Sequence, residues 1–206
     1  METIVDHLDS VNLNSFLRDI KNPEKIENLI IKNYNTEVQW GDLEKFISIK
    51  EIRLINCLID NFSFFSSISK IKNLKSLSYN HECIFKKSEK KLNIKLTNLE
   101  KIIYVCAKKN EPNLSLISNY DRENNFNNFI NEFPNYPTAY QNVQEIEIVN
   151  YDDFLNNIKN EDYDLGYSNI YDGKDIFFQC DIYNLLRLKN LKNLKLTEND
   201  NQIFEK

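Results

Sequence analysis

Glycine is nearly missing from this 206-residue chain, and its three copies, Gly41, Gly166 and Gly173, stand too far apart to build a phosphate-cradling turn. Histidine is as scarce. His7 and His81 are the only two, with no nucleophile elbow or Cys-His signature around them, so no nucleophile and base are written side by side. The four cysteines, Cys57, Cys83, Cys106 and Cys180, have neither C-x-x-C spacing nor paired histidines, which excludes a zinc or dithiol motif and leaves buried free thiols. No stretch approaches the roughly 20 apolar residues of a membrane span. The opening Met1-Glu2-Thr3-Ile4-Val5-Asp6-His7 carries acids where a secretory leader needs positive charge, so a cytoplasmic chain is expected. A basic surplus is also lacking: Lys and Arg number 26 against 31 Asp and Glu, for a net charge of −5. The one basic cluster, Lys86-Lys87-Ser88-Glu89-Lys90-Lys91, is short and interrupted, which argues against a nucleic-acid surface and reads as a solvated face. These absences predict no catalytic residues, no metal, no cofactor and no membrane contact.

The composition is dominated by 32 Asn and 25 Ile against 2 Ala and 4 Arg, the bias of an AT-rich genome, so asparagine content by itself carries little functional weight. Apolar residues make up 41% of the chain, enough for one continuous core in one domain. Their spacing is more telling than their number. An aliphatic or aromatic residue recurs at positions 0, 3 and 5 of six short stretches: Ile26–Leu29–Ile31, Ile49–Ile52–Leu54, Leu74–Leu77–Tyr79, Leu99–Ile102–Tyr104, Val143–Ile146–Ile148 and Leu191–Leu194–Leu196. Successive copies start 23, 25, 25, 44 and 48 residues apart. A period of about 20–29 residues with L-x-x-L-x-L lays one short strand per unit into a parallel sheet.

The second copy is the fullest. Ile49-Lys50-Glu51-Ile52-Arg53-Leu54-Ile55-Asn56-Cys57-Leu58-Ile59 follows L-x-x-L-x-L-x-x-N/C-x-L throughout, and on these residues the chain resembles the leucine-rich repeat proteins. The resemblance implies that Cys57 is buried against free backbone groups in the turn after the strand. It also implies an α/β fold: a short leucine-rich repeat solenoid with a parallel sheet on the concave side and helices and turns on the convex side. Residues 1–206 then form a single domain. In it, 1–25 act as an N-terminal helical cap, and 26–206 hold about six repeats with insertions at 108–142 and 152–190. Helical spacing of Ile4, Leu8, Val11, Leu13, Phe16, Leu17 and Ile20 motivates the cap. Val38, Trp40, Leu43, Phe46 and Ile47, then Phe62, Phe64, Phe65, Ile68 and Ile71, are expected to pack between layers.

In such strands the motif residues face the core and their neighbours face out. Among the outward positions, Ile55, Ile103, Val105 and Val149 are apolar where a solvated sheet would be polar, with Arg53, Lys101, Glu145 and Glu147 beside them. This predicts a partner-binding surface with an apolar centre and an acidic edge, matched to a protein partner with a basic surface. The loop Glu161–Asp175 adds Tyr163, Tyr167 and Tyr171 as possible loop contacts, although it lacks the spacing of a calcium loop. The expected function is a non-catalytic protein-interaction module, an inhibitor or immunity-like protein being one specific form. The alternative is a structural or adaptor subunit that self-associates through the edge of the solenoid.

Overall fold

A computed structural model describes residues 2–6, 17, 19–34, 40–86, 94–106, 140–150 and 188–197. In chain order the strands are β1 (Glu2–Asp6), β2 (Asn28–Lys32), β3 (Glu51–Ile55), β4 (Leu58–Asp60), β5 (Ser76–Asn80), β6 (Ile84–Lys86), β7 (Lys101–Val105), β8 (Glu145–Val149) and β9 (Asn193–Thr197). Seven of them form one parallel sheet in the order β1-β2-β3-β5-β7-β8-β9, while β4 and β6 pair separately. Each of the six motifs supplies one strand of the large sheet. The motif residues align as cross-strand partners from Leu29 through Ile52, Leu77, Ile102 and Ile146 to Leu194. Sequence order and spatial order therefore coincide, and the two long intervals before β8 and before β9 leave the sheet continuous.

Each unit begins the same way. The first motif residue donates its backbone N–H to the carbonyl three residues earlier, as in Ile26 to Pro23, Ile49 to Phe46, Leu99 to Leu96 and Leu191 to Leu188. The strands after Ile26, Ile49 and Val143 end on an asparagine with positive φ: Asn33 at 61°, Asn56 at 50° and Asn150 at 57°. Asparagine tolerates this left-handed conformation better than a branched residue, so it turns the chain out of the sheet where glycine is not available. At the turn after β3, the Cys57 sulfur lies 3.5 Å from the Ile31 carbonyl oxygen and 3.3 Å from that of Ile55, fully buried. Cys57 is buried as expected, but the Ile55 carbonyl beside it is not a free group, because it already accepts from the Asn33 N–H at 2.9 Å.

The main core fills one side of the sheet. Its floor is the motif row, and its roof comes from the 3-10 helix Trp40–Lys45 and the helix Asn61–Ile68. Trp40 packs edge-on against Phe64 with ring centroids 4.8 Å apart, and Phe65 does the same to Tyr140 at 5.7 Å. Ile47, expected on this inward face, is instead exposed.

The helical cap expected over 1–25 is corrected at its start. Glu2–Asp6 is a strand that adds to the sheet beside β2, with Thr3 and Val5 in register with Leu29 and Ile31. The β-branched run Thr3-Ile4-Val5 favours extended backbone over helix, which outweighs the helical spacing that begins at Ile4. Leu17 is buried in the main core, whereas residues 7–16 lie outside the described residues. So do residues 108–139 and 152–187 of the two expected insertions.

Candidate functional site

The outward positions of the strands make a second face, opposite the main core, and the register assembles on it residues that are far apart in sequence. Lys101 stands beside Glu145, Ile103 beside Glu147 and Val105 beside Val149, although the pairs are 44 residues apart. Arg53 and Ile55 lie on the same face two strands away, in β3. Eight predicted contact residues are thus brought to one surface. Tyr163, Tyr167 and Tyr171 lie outside the described residues.

The apolar members of this face do not stand in water. Ile103, Val105 and Val149 are 6%, 7% and 0% exposed and form a small cluster of their own, separate from the main core. Ile55 is only partly buried and does not join it. Alternation along a strand decides which face a side chain takes but not how covered that face is. The open apolar centre expected from the sequence is corrected accordingly: the trio is a buried floor.

The charged members of the face remain partly accessible. The Lys101 ammonium lies 2.9 Å from Glu145 Oε1 and 2.5 Å from Glu147 Oε2, while Lys195 reaches the other oxygen of Glu145 at 3.0 Å. Lys101 therefore joins both acids of β8, and Lys195 closes the network from β9. Partial burial works to lower the Lys101 pKa, but the hydrogen bonds and charges of Glu147 and Glu145 outweigh it and the net shift is upward. The hydrogen bond from Lys101 holds the Glu145 carboxyl below its usual range, with Lys195 adding to the effect against a smaller opposing desolvation. The acidic edge expected from Glu145 and Glu147 is neutralised from within the chain. On β3, Arg53 makes a forked contact with Glu51, Nε to Oε1 at 2.8 Å and Nη2 to Oε2 at 3.2 Å. All three cations are thereby held in fixed places along the sheet.

Between these two charged groups lies β5, whose outward residues are Ser76 and Ser78, set by the register between Glu51 and Lys101 and between Arg53 and Ile103. Both hydroxyls are buried, and neither has a hydrogen-bond partner among the described residues. They place a buried polar pair in the middle of the face.

Two ladders escaped sequence reasoning. The residue before the first motif position is Asn73, Asn98, Asn142 and Asn190 in the last four units. Each sends its Nδ2 to a carbonyl of the preceding unit: Asn73 to Ile47 at 2.8 Å, Asn98 to Lys72, Asn142 to Thr97 at 2.7 Å and Asn190 to Gln141 at 2.5 Å. The signal was a fixed offset, not abundance. The residue after the first motif position carries a second ladder, with Lys50 on Glu27 at 2.8 Å, Lys75 on Glu100, and Lys192 on Gln144 at 2.9 Å.

Among the described residues, no group of His, Cys, Asp and Glu could hold a metal ion, and no helix is long and apolar enough to cross a membrane. The Cys83 thiol is pushed well up by burial, as is that of Cys106, which keeps both in the protonated, unreactive form. Comparison of the chain with protein-family models, with curated protein sequences and with solved structures finds no match.

Proposed function

We propose that this chain is a leucine-rich repeat solenoid that works as a non-catalytic protein-interaction module and binds its partner on the outward face of the sheet. The observation that carries this reading is the fixed row of partly exposed charges over a buried apolar floor: Arg53 on β3, then Lys101, Glu145, Glu147 and Lys195 across β7, β8 and β9. Side chains already held by neighbours lose little freedom on binding, and paired charges select a partner by pattern more than by net charge. The partner's matching surface is therefore of mixed sign. A purely basic partner surface fits less well, because Glu145 and Glu147 are already paired.

The evenly repeated unit supports the solenoid part of this reading. Six copies share one turn, one strand register and, in four of them, the same asparagine bond to the preceding unit. Stacked repeats of this kind present extended surfaces built from many neighbouring units. No enzymatic role follows from any group on the face.

Site-specific photo-crosslinking tests the assignment. A photoreactive residue replaces Lys101 or Glu147 on the outward face, or Ile84 or Asn73 away from it. Crosslinks to one protein from the first pair and none from the second are expected. Crosslinks confined to Ile84 or Asn73 would place the binding surface elsewhere.

A further inference from the structure

Among the described residues the outer strands of the large sheet are β1 and β9, and both carry exposed apolar side chains. Ile4 is 41% exposed on β1, and Leu196 is 46% exposed on β9 although its position belongs to the core-facing row. The row that is buried at Tyr104 and Ile148 thus runs out into solvent at the β9 end.

The hydrogen-bond phase of these edges is fixed by the rest of the sheet. In a parallel strand, alternate residues turn their peptide groups to opposite neighbours. At the β8–β9 junction the Asn193 N–H donates to the Gln144 carbonyl at 3.0 Å, and the Thr197 carbonyl accepts from Asn150 at 2.8 Å. Residues 193, 195 and 197 therefore turn toward β8, and Leu194 and Leu196 turn their N–H and C=O groups to the open edge. The same phase holds at earlier junctions. Glu51 donates to Glu27 and Asn33 to Ile55, so the core-facing row of the earlier strand always meets the outward row of the later one. Carried back to β1, this phase leaves the outward-row residues Glu2 and Ile4 presenting their peptide groups at the opposite edge. One edge offers what the other accepts.

Charge follows the same pattern. In the register of the internal junctions, Glu2 of a second copy would lie opposite Asn193, on the far side of Lys195 from Glu145. Lys195 is half exposed and already bridges back to Glu145. It would then join two acids, as Lys101 joins Glu145 and Glu147.

From this we infer that a second copy of this chain adds its β1 edge to the β9 edge, in parallel and in register, continuing the sheet end to end. The contact is heterologous, since it joins two different edges, and it allows further copies to add in the same direction. It is independent of the outward-face reading, because it uses the backbone of Leu194, Leu196, Glu2 and Ile4, and neither Lys101 nor Arg53.

Sedimentation velocity on the full chain across a range of concentrations tests this. Wild type should show a weight-average mass that rises with concentration. Leu196→Pro removes an N–H that faces the open edge and none that faces β8, a position where an edge strand tolerates proline. It should stay monomeric with an unchanged far-ultraviolet circular dichroism spectrum. Glu2→Lys and Lys195→Glu should each weaken association by about two- to fivefold, and the double exchange should restore it. A wild-type chain that stays monomeric to near-millimolar concentration would overturn the inference. So would undiminished association of Leu196→Pro, or association that appears only after deletion of residues 198–206, which would make the chain's own C-terminal segment the occupant of the edge.

Discussion

Ile102→Ala and Leu196→Ala both truncate core-facing aliphatic residues of the sheet, one in the fourth repeat and one in the sixth, yet they should differ several-fold in their effect. Ile102 sits on β7, fully buried among the main-core residues between its cross-strand partners Leu77 and Ile146. Truncation there loses the transfer energy of three carbons and leaves a cavity that rigid neighbours cannot fill, costing about 2–5 kcal/mol. For a chain of this size that corresponds to a fall in Tm of about 4–20 °C. Leu196 keeps nearly half of its surface in water at the sheet's edge, so only part of a leucine's burial is at stake and little cavity forms. The expected cost is under about 1.5 kcal/mol. Trp40, the single tryptophan, is buried against Phe64 and reports unfolding by fluorescence in a urea titration. Equal costs for the two variants would refute the reasoning, because they would mean that β9 is as enclosed as β7.

Three further outcomes follow from the outward face and the thiols. Val149→Lys should destabilise the chain by more than about 3 kcal/mol in the same titration, since it places an ammonium in a buried cluster with the apolar Ile103 and Val105. Glu145 has a depressed folded pKa, so its contribution to stability is present above the unfolded carboxylate value and lost as pH falls through the folded one. Lys101 has a raised one, so its contribution is complete below the unfolded lysine value and lost only as pH rises through the folded one. Glu145→Gln should therefore flatten the acid limb of the stability curve and leave the region between pH 7 and 9 nearly flat, as followed by thermal melts. Cys57, Cys83 and Cys106 are buried, and should take up iodoacetamide at neutral pH only after denaturant is added, as resolved site by site by mass spectrometry.

The sheet was legible in the sequence because strand register depends on which residues must be buried, and the 0, 3, 5 spacing states that directly. Leu29, Ile52, Leu77, Ile102, Ile146 and Leu194 align across the sheet as their motif positions require. The continuity across both long intervals is a consequence of the same pattern, since an insertion outside the strand does not alter the apolar row. β1 was missed because five residues with one Ile and one Val carry too short an alternation to compete with the helical spacing that follows. The asparagine ladder was missed for a different reason: compositional bias hid a positional signal, and only the offset from the motif separates Asn142 from the chain's other asparagines. On the candidate face, the residues were correctly placed on one surface but their surroundings were not. Periodicity reports direction, whereas burial of Ile103 and pairing of Glu147 depend on what lies across the strand and above it.

Both the outward face and the end-to-end contact rest on β7 and β8 being neighbours in register across the 44 residues that separate Val105 from Val149. Methyl-resolved nuclear Overhauser spectroscopy on the isoleucine-, leucine- and valine-labelled chain examines that pairing in solution. Contacts are predicted between Ile102 and Ile146 on the core side and between Val105 and Val149 on the outward side, with none between Ile102 and Leu194, which are two strands apart. Absence of both predicted contacts, or a direct Ile102–Leu194 contact in their place, would contradict the account.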